Sequence, residues 1–362
     1  MQHYGRYGAT SEFRISLPPG SYVPEISRDL APEPAFTKTV LDTKASEAVP
    51  EISAPITSTP SPEPNVQFRP KSYRWIIIGL LAILGNAIFC YFAWYHFDHK
   101  TDAATSTLPW SVLLKSPHAL QIITSDPDIA EIQGYTGQSI SVSDYANHNY
   151  ILNPDKLTPE MKQISQILLR GNKAALVDAP IAVNIAELAH SSGKKIEVHA
   201  ARTIQLANLQ TDDDFIFLGS PRSNPWTALF SDQLNFRFVY DSASGQEIIR
   251  NIHPGPHEQA EYVPTALGWA TGQSYAVVAF VHNPDQNGQV LLLAGANAEG
   301  TEAAAKLVTD LSRISSALKK CGISSSDTLQ HFEILLRLSM MAGSPTSINI
   351  EACRVLPGTQ PH

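Results

Sequence analysis

Three stretches of this 362-residue chain place hydrogen-bonding side chains where a strand should end and a helix begin. The first is GSPRSNPW, residues 219–226, directly after the apolar run FIFL. Ser220 and Asn224 offer hydrogen bonds, Arg222 a forked guanidinium, and Asn224-Pro225 reads as a cap and first helical position. A helix start presents free N–H groups to an anion, and Arg222 would add a cation to them. The competing role is an ordinary capped loop with Trp226 packed on the core. The second stretch is GANAEGT, residues 295–301. It approaches a dinucleotide fingerprint, but Asn297 stands where the middle glycine admits pyrophosphate, and Glu299 puts negative charge beside it. A tight turn docking a helix is the better expectation, with Asn297 and Thr301 as candidate ligand contacts. The third is SDPD, residues 125–128, where Asp126 either meets a ligand or caps a helix.

Other chemistry is thin. The chain has no G-x-S-x-G, H-E-x-x-H or G-x-x-x-x-G-K motif. His253, His257 and His282 lie in or near Pro/Gly-rich loops without metal spacing, so neither a metal nor a cofactor is expected. Of the three cysteines, Cys90 falls in an apolar run, while Cys321 and Cys353 could pair in an oxidising compartment. Two separate buried thiols is the expectation taken here. Of 26 basic and 34 acidic residues, eight of each precede residue 75, so the remainder carries the whole net charge of −8. An acidic domain lacks the basic face that nucleic-acid phosphate requires.

The elements that must hold these loops alternate. Strands are expected at 119–125, 195–200, 214–219, 275–281 and 290–294, and a strand pair at 236–240 and 247–252. Two closing strands follow at 333–340 and 348–355. Helices are expected at 162–170, 181–190 and, as one long element, 301–320, where Leu307, Leu311, Ile314 and Leu318 form a stripe. Continuous runs such as FIFL and VLLL suit strands covered on both faces. The pattern predicts an α/β three-layer fold over 117–357, a mostly parallel sheet with antiparallel edge strands. All three loops would then sit at the carboxyl edge of one sheet, where ligands bind near a switch in strand order.

Residues 75–95, WIIIGLLAILGNAIFCYFAWY, form a 21-residue run without formal charge. At ~1.5 Å rise per residue it would cross one hydrocarbon core, with aromatic residues at both ends. Arg69, Lys71 and Arg74 put the N-terminus in the cytoplasm by the positive-inside rule, and residues 96–116 then link the span to a periplasmic domain at the bacterial inner membrane. Asn86 at mid-span could pair such helices into a homodimer. Residues 27–74 are rich in Pro, Ser, Thr, Glu and Ala without apolar periodicity, so disorder is expected.

Ahead of them FRISLPPGSYVPEI, residues 13–26, reads as strand, tight turn and a returning strand at Tyr22-Val23. This resembles the C-terminal wing hairpin of membrane-anchored, winged-helix (response-regulator-like) transcriptional regulators, which also precedes a linker and a membrane helix. The helices that would precede a wing, including the one that enters the major groove, are not in this sequence. DNA binding is therefore not carried over; the chain either derives from such a regulator without them or starts upstream. The expected function is a membrane-anchored sensory or ligand-binding module for a small, anionic ligand. The alternatives are an envelope interaction module and an enzyme with residues gathered from distant loops.

Overall fold

Strands with apolar residues on both faces need cover on both sides, and the alternation within each strand assigns its residues to one side or the other. The structure, a computed structural model, describes residues 13–16, 25–28, 80–91, 106–171, 173–241, 244–266, 270–283, 287–323 and 329–357. The chain divides into two units, Met1–Lys71 and Ser72–His362. In the first, strands β1 (Phe13–Ser16) and β2 (Glu25–Arg28) form an antiparallel hairpin with Ile15 opposite Ile26. Glu25–Arg28 pairs with Phe13–Ser16, while residues 17–24, which include the expected return at Tyr22-Val23, and the linker at 29–74 lie outside the described residues.

In the second unit, residues 80–91 are helical (α1), with Leu80, Leu81, Ile83, Leu84, Ile88 and Phe89 exposed. Among the described residues no helix is long and apolar enough to cross a membrane; the rest of the 75–95 run lies outside them. The Asn86 side-chain Oδ1 accepts from the Cys90 thiol one turn on, at 3.5 Å.

The α/β body starts with α2 (Trp110–Leu113), whose Trp110 donates to the Val308 carbonyl at 2.7 Å. It continues through β3 (Leu120–Thr124), α3 (Pro127–Thr136), α4 (Val142–Ala146), α5 (Pro159–Arg170), α6 (Asp178–Ser191), β4 (Ile196–Ala200), α7 (Leu206–Leu209) and β5 (Asp214–Leu218). A 3-10 helix (Pro225–Gln233) precedes β6 (Phe236–Asp241), β7 (Gln246–Asn251) and β8 (Glu261–Tyr262). Then come β9 (Gly272–His282), β10 (Gln289–Gly295), α8 (Ala298–Thr309), α9 (Leu311–Lys320), β11 (Phe332–Met341) and β12 (Ser344–Val355).

The central sheet has the order β12-β11-β9-β10-β5-β3-β4. β10, β5, β3 and β4 are mutually parallel, β9 runs against β10 and β11, and β12 runs against β11. Five of the seven strands thus point one way, and the antiparallel additions gather at one side as expected. β6, β7 and β8 form a separate antiparallel sheet rather than extending this edge.

Alternate residues fill two cores. Ile122, Ile216, Leu218, Leu291 and Leu293 face α6, α8 and α9. Ile123, Phe215, Phe217, Val290 and Leu292 face α3, the 3-10 helix and the small sheet. The chain runs from β3 to β4 on one side and then crosses back to β5 on the other, so strand order switches between β3 and β5. Ligands of open α/β sheets bind beyond the carboxyl ends at such a point.

Two expectations are corrected. The long helix is broken at Asp310, whose extended backbone caps α9; its carboxylate accepts from the amides of Ser312 and Arg313, both at 3.1 Å. That carboxylate satisfies orphan N–H groups a continuous helix would not expose. Cys321 and Cys353 are not separate thiols: they form a disulfide joining the end of α9 to β12, with Cα atoms 5.8 Å apart.

Candidate functional site at the strand ends

The loops after β3, β5 and β10 converge with the first turn of α6 on a cavity of about 230 Å³. Gly219 begins the second loop with φ +96°, and a Cβ there would meet Ser223 Oγ at 2.4 Å, so only glycine allows the chain to fold back on itself. Ser220, Arg222, Asn297 and Thr301, singled out from sequence, all line the cavity. The Gly295–Thr301 turn is closed as expected. Thr301 Oγ1 accepts from the Gly295 amide at 3.1 Å, and Asn297 Oδ1 caps α8 by accepting from the Gly300 amide at 3.0 Å. A Cβ on Gly295 would run into the Thr301 backbone nitrogen, so the glycine serves the close docking of α8.

Asp126 and Asn224 do not line the cavity. Asp126 caps α3 and is gripped by Arg202, whose Nε and Nη2 donate to its two oxygens at 2.8 and 2.5 Å. Tyr145 adds a third donor at 3.0 Å, and its own hydroxyl is held well above the usual phenol range, first by burial and then by the Asp126 charge. Arg202 also reaches Asp128, which Lys173 meets at 3.2 Å. Asn224 does not cap the following element, which is a 3-10 helix. Its amide instead donates to the carbonyls of Leu218 and Ile123 at 3.0 and 3.3 Å, tying β5 to β3 at the switch in strand order. Trp226 is buried in the core, donating to the Ala201 carbonyl.

Arg222 is held more firmly than a free clamp. Its Nη1 donates to the Gly245 carbonyl at 2.9 Å and its Nε to the Ala130 carbonyl at 3.4 Å, while the guanidinium stacks over Tyr240 at 5.1 Å. Together with Glu247 it also borders a neighbouring cavity of about 270 Å³.

The two carboxylates of the site escaped the sequence reading. Glu247 lies on β7, in the separate sheet, and is buried. Ser220 Oγ donates to its Oε2 and the Arg222 amide to its Oε1, the latter at 3.2 Å. Burial pushes its carboxyl up to about 7 against the pull of Ser220 and Arg222. Asp178 opens α6 and is 2% exposed. Its Oδ2 accepts from both the amide and the hydroxyl of Ser125, at 2.8 and 2.7 Å. Its Oδ1 has no hydrogen-bond partner among the described residues, and burial raises its carboxyl above the ordinary range. The available signals were weak. Glu247 shares a face with Ile249 in a two-residue period, and Asp178 precedes an apolar helix, where an acid reads as a helix-start residue.

Among the described residues no group of three His, Cys, Asp or Glu side chains is arranged to hold a metal. A larger hollow, about 900 Å³, lies elsewhere, between α9 and β12 beside the disulfide. No protein-family model matches this chain, and comparison with curated proteins finds no match. The functional reading therefore rests on the site itself.

Proposed function

We propose that this chain is a single-pass membrane protein whose α/β domain lies outside the cytoplasm and binds a small ligand at the carboxyl ends of β3, β5 and β10. Descent from a transmembrane regulator is part of the same reading. The observation that carries it is the convergence of three strand-end loops on one cavity at the switch in strand order. The Cys321–Cys353 disulfide supports an oxidising compartment, because such bonds seldom persist among cytosolic thiols. The exposed apolar side chains of residues 80–91 support a lipid-facing segment, which the flanking run would lengthen. A homodimer through α1 would pair the Asn86 amides, whose Nδ2 donors take no part in the contact with Cys90.

The reading is tested by melting the full chain in detergent against a panel of small anions, cations and neutral polyols. One class should raise the melting temperature, and Ala130→Leu, which fills the cavity from α3, should remove that effect. Stabilisation that survives Ala130→Leu would place the ligand elsewhere, and no stabilisation by any class would reject the reading.

An enzyme is the second reading, and one contact favours it: Ser220 donates to a buried carboxylate in the same cavity. Labelling of Ser220 by a fluorophosphonate, lost in Glu247→Gln, would establish it; an unlabelled Ser220 would leave the hydroxyl as a ligand contact.

A further inference from the structure

The two edges of the central sheet carry different side chains. β4, at one edge, runs through Glu197 and His199 with Lys195 just ahead of it, and Lys195 pairs with Glu197 at 2.7 Å. Such charges keep further strands from adding to an edge. β12, at the other edge, has no charged residue from Ser344 to Ile350. Among the described residues it pairs only with β11, so its outer N–H and C=O groups have no ladder partner. Register shifts at Leu335/Leu336 and Ser339/Met340 leave Ser347–Ile350 as the regular stretch between them. In an antiparallel ladder alternate residues of that stretch turn outward, each with one donor and one acceptor.

The hollow of about 900 Å³ lies along this same edge. Leu307 of α8 and Ile348 and Ile350 of β12 give it an apolar lining, and Arg313 and Lys320 of α9 give it cations. Arg313 is shared with Asp310 at 3.1 Å, while Lys320 has no anionic partner among the described residues. Glu351, the one acid among the lining residues, is taken by Arg337 at 3.2 Å. The Cys321–Cys353 disulfide joins the two walls, so the width of the groove is fixed before anything enters it and binding orders less of the chain. We propose that β12 and this groove take an extended, acidic segment of a partner protein, which adds to the seven-stranded sheet as an eighth strand. Main-chain bonds to Ser347–Ile350 hold it, alternate apolar side chains enter beside Leu307 and Ile350, and its carboxylates meet Lys320 and Arg313. The open ladder selects a strand over a helix, and the cations select acids over bases. A second copy of this chain fits less well. Two-fold pairing of β12 with itself puts both α9 helices on one face of the joined sheet, with their cations facing each other across it. The proposal does not depend on the strand-end cavity.

The test titrates the full chain in detergent against three fluorescein-labelled heptapeptides, followed by fluorescence anisotropy. One alternates valine and glutamate, the second alternates valine and lysine, and the third is the acidic peptide with every backbone nitrogen methylated. The acidic peptide should bind with a Kd below about 1 mM and the lysine peptide about fivefold or more weakly. The methylated peptide has no donors for the ladder and should not bind. Ser316→Trp fills the groove from an exposed position on α9 and should abolish binding, and Lys320→Glu should remove the preference for acid. Equal binding of the two charged peptides, or a preference unchanged in Lys320→Glu, would overturn the proposal. So would binding that survives methylation or Ser316→Trp, or no binding of the acidic peptide. Sedimentation showing dimers that Ser316→Trp dissociates would give the edge to a second copy and overturn it as well.

Discussion

At the residue scale, the site is governed by how few polar atoms the fold lets near water. Glu247 and Glu333 are both buried and both pushed up to about 7 by that burial. Glu333 accepts from the amides of Asn235 and Phe236 at 2.9 and 3.2 Å, which ties the small sheet to β11. A carboxyl whose folded pKa lies above its unfolded value binds its proton more tightly when folded. Its contribution is complete below about 4.5 and is lost as pH rises through about 7. Stability should therefore fall between pH 5 and pH 8. Glu247→Gln, which imitates the protonated acid, should flatten part of that slope and melt above wild type at pH 8. A wild-type melting temperature that rises across this range would contradict the assignment. Arg202 offers a second test. Removing it leaves Asp126 and Asp128 buried with fewer donors, so Arg202→Met should cost roughly 3–5 kcal/mol in urea unfolding. Arg222→Ala loses two hydrogen bonds to carbonyls and its contact with Tyr240, and a smaller loss of about 1–3 kcal/mol is expected.

At the scale of elements, short interruptions and one covalent link decide how helices meet the sheet. The break at Asp310 divides the expected long helix into α8 and α9, each with its own apolar face toward the first core. Asp310→Ala should cost about 1 kcal/mol by leaving the start of α9 uncapped. The disulfide holds the end of α9 to β12 across a sequence separation of 32. Reduction should lower unfolding stability by about 2–4 kcal/mol, read as a shift in urea midpoint with and without reductant. Peptide mapping without reduction should recover Cys321 and Cys353 together, and Cys90 as a free thiol.

At the scale of the whole molecule, the proposal of a membrane anchor and an exported domain makes two claims that need no knowledge of the ligand. A reporter active only in the periplasm should be active when fused after His362 and silent when inserted before Trp75. The reverse pattern would invert the topology. The excess of acidic residues beyond residue 75 predicts no electrostatic binding to duplex DNA. A mobility shift at low salt that disappears at high salt would contradict it.

The sequence by itself determined what depends on neighbours along the chain. Apolar runs at FIFL and VLLL marked strands covered on two faces, and the strand-end positions of Ser220, Arg222, Asn297 and Thr301 put them on one edge of a mostly parallel sheet. Turn chemistry at Gly295–Thr301 was equally local, because Thr301 and Asn297 bond within the same turn. Asp126 was legible as a cap for the same reason, but its grip by Arg202 was not, since 76 residues separate them. The small sheet brings Glu247 onto the loop after β5, and the β3-to-β4 excursion brings Asp178 onto Ser125, 53 residues away. The distant disulfide partner belongs with these. Such pairings are fixed by which elements share a core, and no period of 2 or 3.6 encodes that choice. Tertiary structure thus decided the charge of the site: the sequence alone offered an arginine in a loop, and the fold surrounded it with carbonyls and set two buried carboxylates in the cavity wall.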